Sequence, residues 1–208
     1  MSEIGNETPV NNETNVAWKT DTPTPFIVKS FENGLIKPGQ QVVDIGCGFG
    51  RNSNFLEAQG AKVIGVNVNK EELEIAKVKA KSNGLNTEFI EGNATRLTLP
   101  DASCDVAIDS GCSHQLSAED QIKAEKEQVR IIKPAGYLLY FGFSKEHPAA
   151  IDNPNSPMYR SIDDVKRIYG EDFEIITGEE IEWKPSKEEK ANFDMHRGIN
   201  IVMRKNNL

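Results

Sequence analysis

From residue 41 onward, short apolar runs alternate with amphipathic stretches. Gln41–Ile45 (QVVDI), Lys62–Val66 (KVIGV) and Thr87–Glu91 (TEFIE) read as strands. Between them, Arg51–Gln59 has a helical pattern with Phe55 and Leu56 inward. Lys70–Asn83 carries Leu73, Ala76 and Ala80 at helical spacing and stops at Gly84. Asp105–Asp109 (DVAID) follows the Pro100–Asp101 turn as a fourth strand. Ser117 and Asp120 then make an S-x-x-D capping box for a helix reaching about Ile132. Lys133–Gly136 (KPAG) reads as a turn. Tyr137–Phe143 (YLLYFGF) is a continuous apolar strand, as expected of a strand buried on both faces. Ser161–Tyr169 is a helix closed by Gly170, and Phe173–Trp183 and Ile199–Arg204 are late strands that complete the sheet. Upstream, a helix is expected from Pro25 to Asn33, with proline at its start and Gly34 at its end. Strands and helices alternating through short links predict a doubly wound α/β fold, a mostly parallel sheet with helices on both faces.

The remaining stretches lack this rhythm. Residues 1–16 are polar and Asn-rich and read as a mobile tail. The rest, 17–208, is expected to form one domain. It divides into 17–40 ahead of the first strand, 41–143 with the alternating pattern, and 144–208 with a long loop and the late strands. Ser144–Tyr159, with three prolines, is long for a plain connection, and Lys184–Arg197 is charged and expected to be partly helical.

Composition narrows function mainly by exclusion. The 208 residues carry a formal net charge of −8, which repels a phosphate backbone and argues against nucleic acid as partner. No apolar run is long enough for a membrane span. Cys47, Cys104 and Cys112 show no CxxC spacing. Neither a disulfide framework nor a metal site is expected, and a cytoplasmic location fits.

The most informative stretch is Val42 to Asn52, VVDIGCGFGRN, where a buried strand runs into Gly46-x-Gly48-x-Gly50 and then a helix. Glycines there allow positive φ and let a ligand lie against bare backbone. The helix N-terminus that follows offers free N–H groups. The third glycine comes one residue early for the dinucleotide fingerprint G-x-G-x-x-G, which disfavours a nicotinamide cofactor.

This run resembles motif I of the class I S-adenosylmethionine (SAM)-dependent methyltransferases, hydrophobic-D/E-x-G-x-G-x-G. The similarity continues through Gly65-Val66-Asn67-Val68-Asn69, Glu91-Gly92-Asn93-Ala94, Pro100 to Val106 and Arg130 to Tyr137. Trp18, Thr22 to Pro25, Asp109 to Leu116 and Phe141 to Ser144 look like the small-molecule branch, with its thiopurine- and thiol-methyltransferase-like and tellurite-resistance-type members. The resemblance implies a seven-stranded Rossmann-like sheet and SAM as cofactor, with S-adenosylhomocysteine as product. It sets Gly46, Cys47, Gly48 and Gly50 under the methionine part and Asp44 near the ammonium. Asn67 falls at the ribose hydroxyls, Asn93 at the adenine amino group and Asp109 at the cofactor edge beside the transferred methyl, with Val68 and Ala94 as further cofactor contacts.

Two positions depart from the family. Asn67 and Asn93 are amides where a carboxylate is usual, and a neutral acceptor makes weaker hydrogen bonds than a charged one. Three readings follow: tolerated variation, a modified SAM or other nucleoside, or a protein that binds without catalysing. In-line methyl transfer needs alignment more than a fixed triad. His114 is a candidate base or a packing histidine, and Asp109 is grouped with it as a catalytic candidate. Trp18, Phe26, Cys112 and His114 are candidate substrate contacts, with core packing an equal alternative for Phe26. Trp183 is expected at an exposed or lid position and His196 on a solvated surface. The expected acceptor is a small molecule with an S, Se, Te or N nucleophile. A nucleic-acid acceptor is disfavoured, since Asp109-Ser110-Gly111-Cys112 is not the D/N-P-P-Y/F of base-amino methyltransferases. The oligomeric state is left open.

Overall fold

A computed structural model describes residues 21–185 and 194–207. In chain order its elements are α1 (Pro25–Glu32), β1 (Gln41–Ile45), α2 (Arg51–Ala58), β2 (Lys62–Asn67), α3 (Lys70–Ser82), β3 (Glu88–Glu91) and β4 (Cys104–Ser110). They continue with α4 (Ala118–Ile131), β5 (Ile132–Ser144), β6 (Tyr159–Arg160), α5 (Ile162–Tyr169), β7 (Phe173–Trp183) and β8 (His196–Lys205). Single 3₁₀ turns form at Ser113–Gln115 and Pro148–Ala150.

The sheet runs β3-β2-β1-β4-β5-β8-β7, with β6 paired to the end of β5. Pairing is parallel from β3 through β5, and antiparallel where β8 joins β5 and β7. The chain reverses its strand order between β1 and β4, and open sheets of this type bind ligands at the carboxyl ends of strands flanking such a reversal. Alternating side chains feed two cores. Phe26, Ile27 and Leu56 of α1 and α2 pack with Val42, Val106 and Leu139 on one face. Ala124, Ile131, Val165 and Tyr169 of α4 and α5 pack with Val43, Ala107 and Leu138 on the other. Leu73, Ala76 and Ala80 of α3 close over Phe89 of β3. This is a Rossmann-like α/β fold, doubly wound as the alternation of strands and helices implies.

Four expectations are adjusted. Lys133–Gly136 lies inside β5, not in a separate turn. Pairing jumps from Cys104–Ile132 to Val106–Tyr137, and Ala135 takes φ +60°, so the turn-forming residues bulge within a strand. Seven strands become eight through the two-residue β6. Asp120 N–H donates to Ser117 Oγ at 3.2 Å, which is half of the expected box. The reciprocal pair forms instead at Ser161 and Asp164, heading α5. The last strand begins at His196, three residues early, because Gly198 still pairs with Phe143 and His196 with Trp183. The tail 1–16, Trp18 and most of the charged run after Lys184 lie outside the described residues. Among those described, no helix is long and apolar enough to cross a membrane.

α3 is anchored at its start by Asn69, whose Oδ1 accepts from the N–H groups of Glu71 and Glu72 at 3.0 and 3.2 Å. Asn69→Ala strips this cap and is expected to lower stability by about 1 kcal/mol, read from urea unfolding.

Candidate cofactor and acceptor site

The glycine loop between β1 and α2 holds Gly46, Gly48 and Gly50 at φ +71°, +52° and +76°. Gly46 and Cys47 N–H both donate to the Val66 carbonyl, at 2.8 and 3.0 Å, tying the loop to β2. Two of the three glycines are needed for packing as well as for φ. A Cβ at Gly46 would stand 2.5 Å from Cβ and Sγ of Cys112, and one at Gly50 would stand 2.8 Å from the Phe89 ring. Gly48 differs. Among the described residues the only atom within 4 Å of its Cβ position is Glu72 Oε2 at 3.9 Å, so this backbone faces a carboxylate. α2 then opens on Gly50 without a side-chain cap. A bare backbone, an uncapped helix start and the exposed apolar side chain of Val68 fit an adenosyl amino acid lying across the loop.

Asp44, one residue before the end of β1, is 2% exposed. Ser53 Oγ of α2 donates to its Oδ2 at 2.6 Å. Burial pushes the carboxyl up to about 6, although the Ser53 hydrogen bonds and the Arg51 charge oppose the shift. Cys47 is buried with its sulfur 2.9 Å from the Cβ position of Gly65, and Cys112 lies against Gly46. Burial raises both thiols well above their ordinary range, so neither is a nucleophilic thiolate.

The two amides are already engaged. Asn67 Nδ2 donates to Glu72 Oε2 at 2.7 Å, and its Oδ1 accepts from Val68 N–H at 3.1 Å. Asn93 is exposed, and its Oδ1 accepts from both N–H and Oγ1 of Thr95. That oxygen has no lone pair left for an adenine amine, and Asn93 can offer a ligand only its NH2. Ala94 is buried, 8% exposed, and packs in the core.

Asp109 takes a structural part, not the reacting one expected of it. It is fully buried at the end of β4, where Oδ1 accepts from the N–H groups of Cys112 and Ser113, both at 3.1 Å. Its Oδ2 accepts from Gln128 Nε2 at 2.7 Å, and Tyr169 O–H donates to Gln128 Oε1 at 2.5 Å. Asp109 thus fixes the turn that presents His114. Phe26 is core, buried with Val42, Leu56 and Leu139.

His114 is buried, with its ring 5.0 Å from Phe143 and 6.4 Å from Phe141, centroid to centroid. Burial pulls its pKa below 6.5, Asp109 opposing the shift and Arg160 adding to it. The Phe141 carbonyl also opposes the shift. Of the two ring nitrogens, Nδ1 is buried and has no partner among the described residues.

Around His114 the structure gathers residues that local sequence reading missed. Phe141 is flanked in register by Ser110 and Asn200, and Ser110 Oγ and Asn200 Oδ1 are also buried without partners among the described residues. Trp183 is half-buried and stacks on His196 at 4.9 Å and Phe143 at 5.9 Å. The expected solvated His196 is in fact buried. His147 Nδ1 accepts from Ala149 N–H, so its Nε2 donates to His196 Nδ1 at 2.9 Å. Below lies an ion pair of Arg160 with Glu125 at 2.6 Å, in which Arg160 also reaches Gln121. The periodic pattern places these residues on elements, but their convergence follows from β8 returning antiparallel beside β5.

Comparison with known proteins agrees with this geometry. The family model described as a methyltransferase domain matches residues 43–140. The ubiquinone/menaquinone biosynthesis C-methyltransferase UbiE of Vibrio campbellii is 35% identical over 115 residues, covering 52% of this chain and 43% of that protein. The botryococcene C-methyltransferase of Botryococcus braunii is 32% identical over 124 residues, covering 57% and 32%. The chain thus spans less than half the length of these curated relatives. A SAM-dependent methyltransferase from Methanosarcina mazei superposes with TM-score 0.74 at 20% identity, over 89% of this chain and 99% of that one. A solved protein described under "Conversion of a Disulfide Bond into a Thioacetal Group during Echinomycin Biosynthesis" gives 0.78 at 21%, over 91% and 84%. The match over residues 43–140, with the fold and the glycine loop, makes this part of the chain similar to a SAM-dependent methyltransferase domain.

Proposed function

We propose that this chain is a SAM-dependent methyltransferase, that it acts on a small molecule and that it methylates a protic heteroatom, S, Se, Te or N. One observation carries the reading. His114 Nδ1, buried and without a partner among the described residues, lies beside the β4 turn that packs against the glycine loop. SAM supplies a methyl on a sulfonium, so the step is an in-line displacement that needs alignment and exclusion of water. The glycine loop and Glu72 hold one partner, and Phe141, Phe143 and Trp183 wall the other from solvent. With SAM held there, it would supply the methyl, and His114 Nδ1 would take the proton that the acceptor gives up on methylation. Asp109 and Gln128 keep the His114 turn in place.

Two further features support the small acceptor. Ser110 Oγ, His114 Nδ1 and Asn200 Oδ1 offer a few polar contacts within aromatic walls, the make-up of a small-molecule pocket. The net charge of −8 disfavours a nucleic acid. Incubating the protein with SAM and a panel of thiols, selenols, amines and quinols, with mass spectrometry of S-adenosylhomocysteine and methylated product, tests the reading. Product with thiol, selenol or amine supports it. Methylated carbon as the sole product overturns the heteroatom assignment, and no product with any acceptor overturns the reading as a whole.

A further inference from the structure

Asn67 poses a problem that the structure resolves one helical turn away. An amide at the end of β2 is a poor acceptor for a vicinal diol, having one acceptor oxygen and no charge. Here that oxygen is already taken by the Val68 N–H. The Asn67 NH2 instead donates to Glu72 Oε2 at 2.7 Å. The Asn69 cap fixes the Glu72 backbone, so the carboxylate is held at both ends. Glu72 Oε2 is also the nearest atom to the Cβ position of Gly48, at 3.9 Å, on the bare side of the glycine loop. Oε1 has no partner among the described residues. A charged, oriented carboxylate therefore borders the space beside Gly48.

We infer that Glu72 is the residue that binds the ribose hydroxyls of the cofactor, and that Asn67 is a positioning residue acting through it. The carboxylate at this site has moved from the end of β2 to the first turn of α3, and the amide at 67 is its complement. An Asp at 67 would put two carboxylates within hydrogen-bonding distance, and like charges so close cannot both ionise freely. The inference rests on SAM as cofactor.

The test is calorimetric binding of S-adenosylhomocysteine and of its 2′-deoxy and 3′-deoxy analogues to the full chain. Glu72→Gln is isosteric, and thermal melts monitor the fold. It is expected to weaken S-adenosylhomocysteine binding about tenfold, as charge-assisted hydrogen bonds give way to neutral ones. The loss should shrink for the deoxy analogue that lacks the bonded hydroxyl. Asn67→Asp alone is expected to weaken binding, and Asn67→Asp combined with Glu72→Gln to restore it to near wild type, because the exchanged pair again joins one amide to one carboxylate. Three outcomes overturn the assignment: wild-type affinity in Glu72→Gln, the same loss with both deoxy analogues, or tighter binding by Asn67→Asp alone. A wild type that binds no S-adenosylhomocysteine at millimolar concentration overturns the cofactor reading and this assignment with it.

Discussion

His114→Asn is expected to bind S-adenosylhomocysteine as wild type does while methyl transfer at saturating cofactor falls about 10²–10³-fold, the usual worth of a positioned general base. Asparagine removes the basic nitrogen but keeps a polar group in the apolar surroundings of Phe141 and Phe143. The pH profile separates a base from a packing residue. Burial lowers the His114 pKa below 6.5, so the ring is neutral and competent at pH 7, and wild-type kcat falls only as acid protonates it. The acid limb of kcat should lie below pH 6.5 in wild type and be absent in the variant. If His114→Asn turns over at the wild-type rate, the histidine is packing, and the acceptor reaches the site already deprotonated.

The sequence and the structure differ in what each makes legible. Motif I could be read because its logic is local: one buried strand, glycines whose φ a side chain resists, and a helix start, all within Val42 to Asn52. Fold class was legible for the same reason, since alternating short strands and capped helices leave few arrangements. The roles of side chains at strand ends were less so, because they depend on partners that sequence distance hides. Asp109 looks like a reacting carboxylate until Gln128 and Tyr169, 19 and 60 residues on, take part in its network. Asn93 looks like an adenine contact until Thr95 claims its oxygen twice. His147 and His196 are 49 residues apart and meet only because β8 folds back along β5. The KPAG stretch shows a subtler limit. Its residues do turn the chain, but the strand absorbs the turn as a bulge, since the ladder on either side of it is paired. Glu72 was closest to hand, five residues after Asn67, but it reads as one more surface acid on a charged helix. Only the side-chain geometry distinguishes it from Glu71.

Asp44→Asn is expected to stabilise the ligand-free protein above pH 7 and to weaken cofactor binding, a trade that follows from the burial of this carboxyl. Its pKa rises from 3.8 unfolded to about 6 folded, so between those values the native state holds a proton that the unfolded state has released. Stability from this group is therefore present at low pH and is lost as pH rises toward 6. Above that, the buried charge costs ~3 kcal/mol, at 1.36 kcal/mol per pKa unit. Asparagine keeps an acceptor for Ser53 Oγ without the charge and should recover part of that cost, raising Tm by a few degrees at pH 8 and by little at pH 5. The wild type retains the cost because an ammonium brought to the glycine loop finds an anion there. Binding of S-adenosylhomocysteine should then release a proton from Asp44, and affinity should rise with pH through about 6 in wild type. In Asp44→Asn that dependence should be flat and the affinity lower at pH 8. Calorimetry in buffers of differing ionisation enthalpy measures the proton count directly. A variant that binds as tightly as wild type at pH 8, or is no more stable there, would make Asp44 a scaffold for α2 and nothing more. The two acid limbs stay distinguishable, since Asp44 acts on cofactor affinity and His114 on the rate once cofactor is saturating.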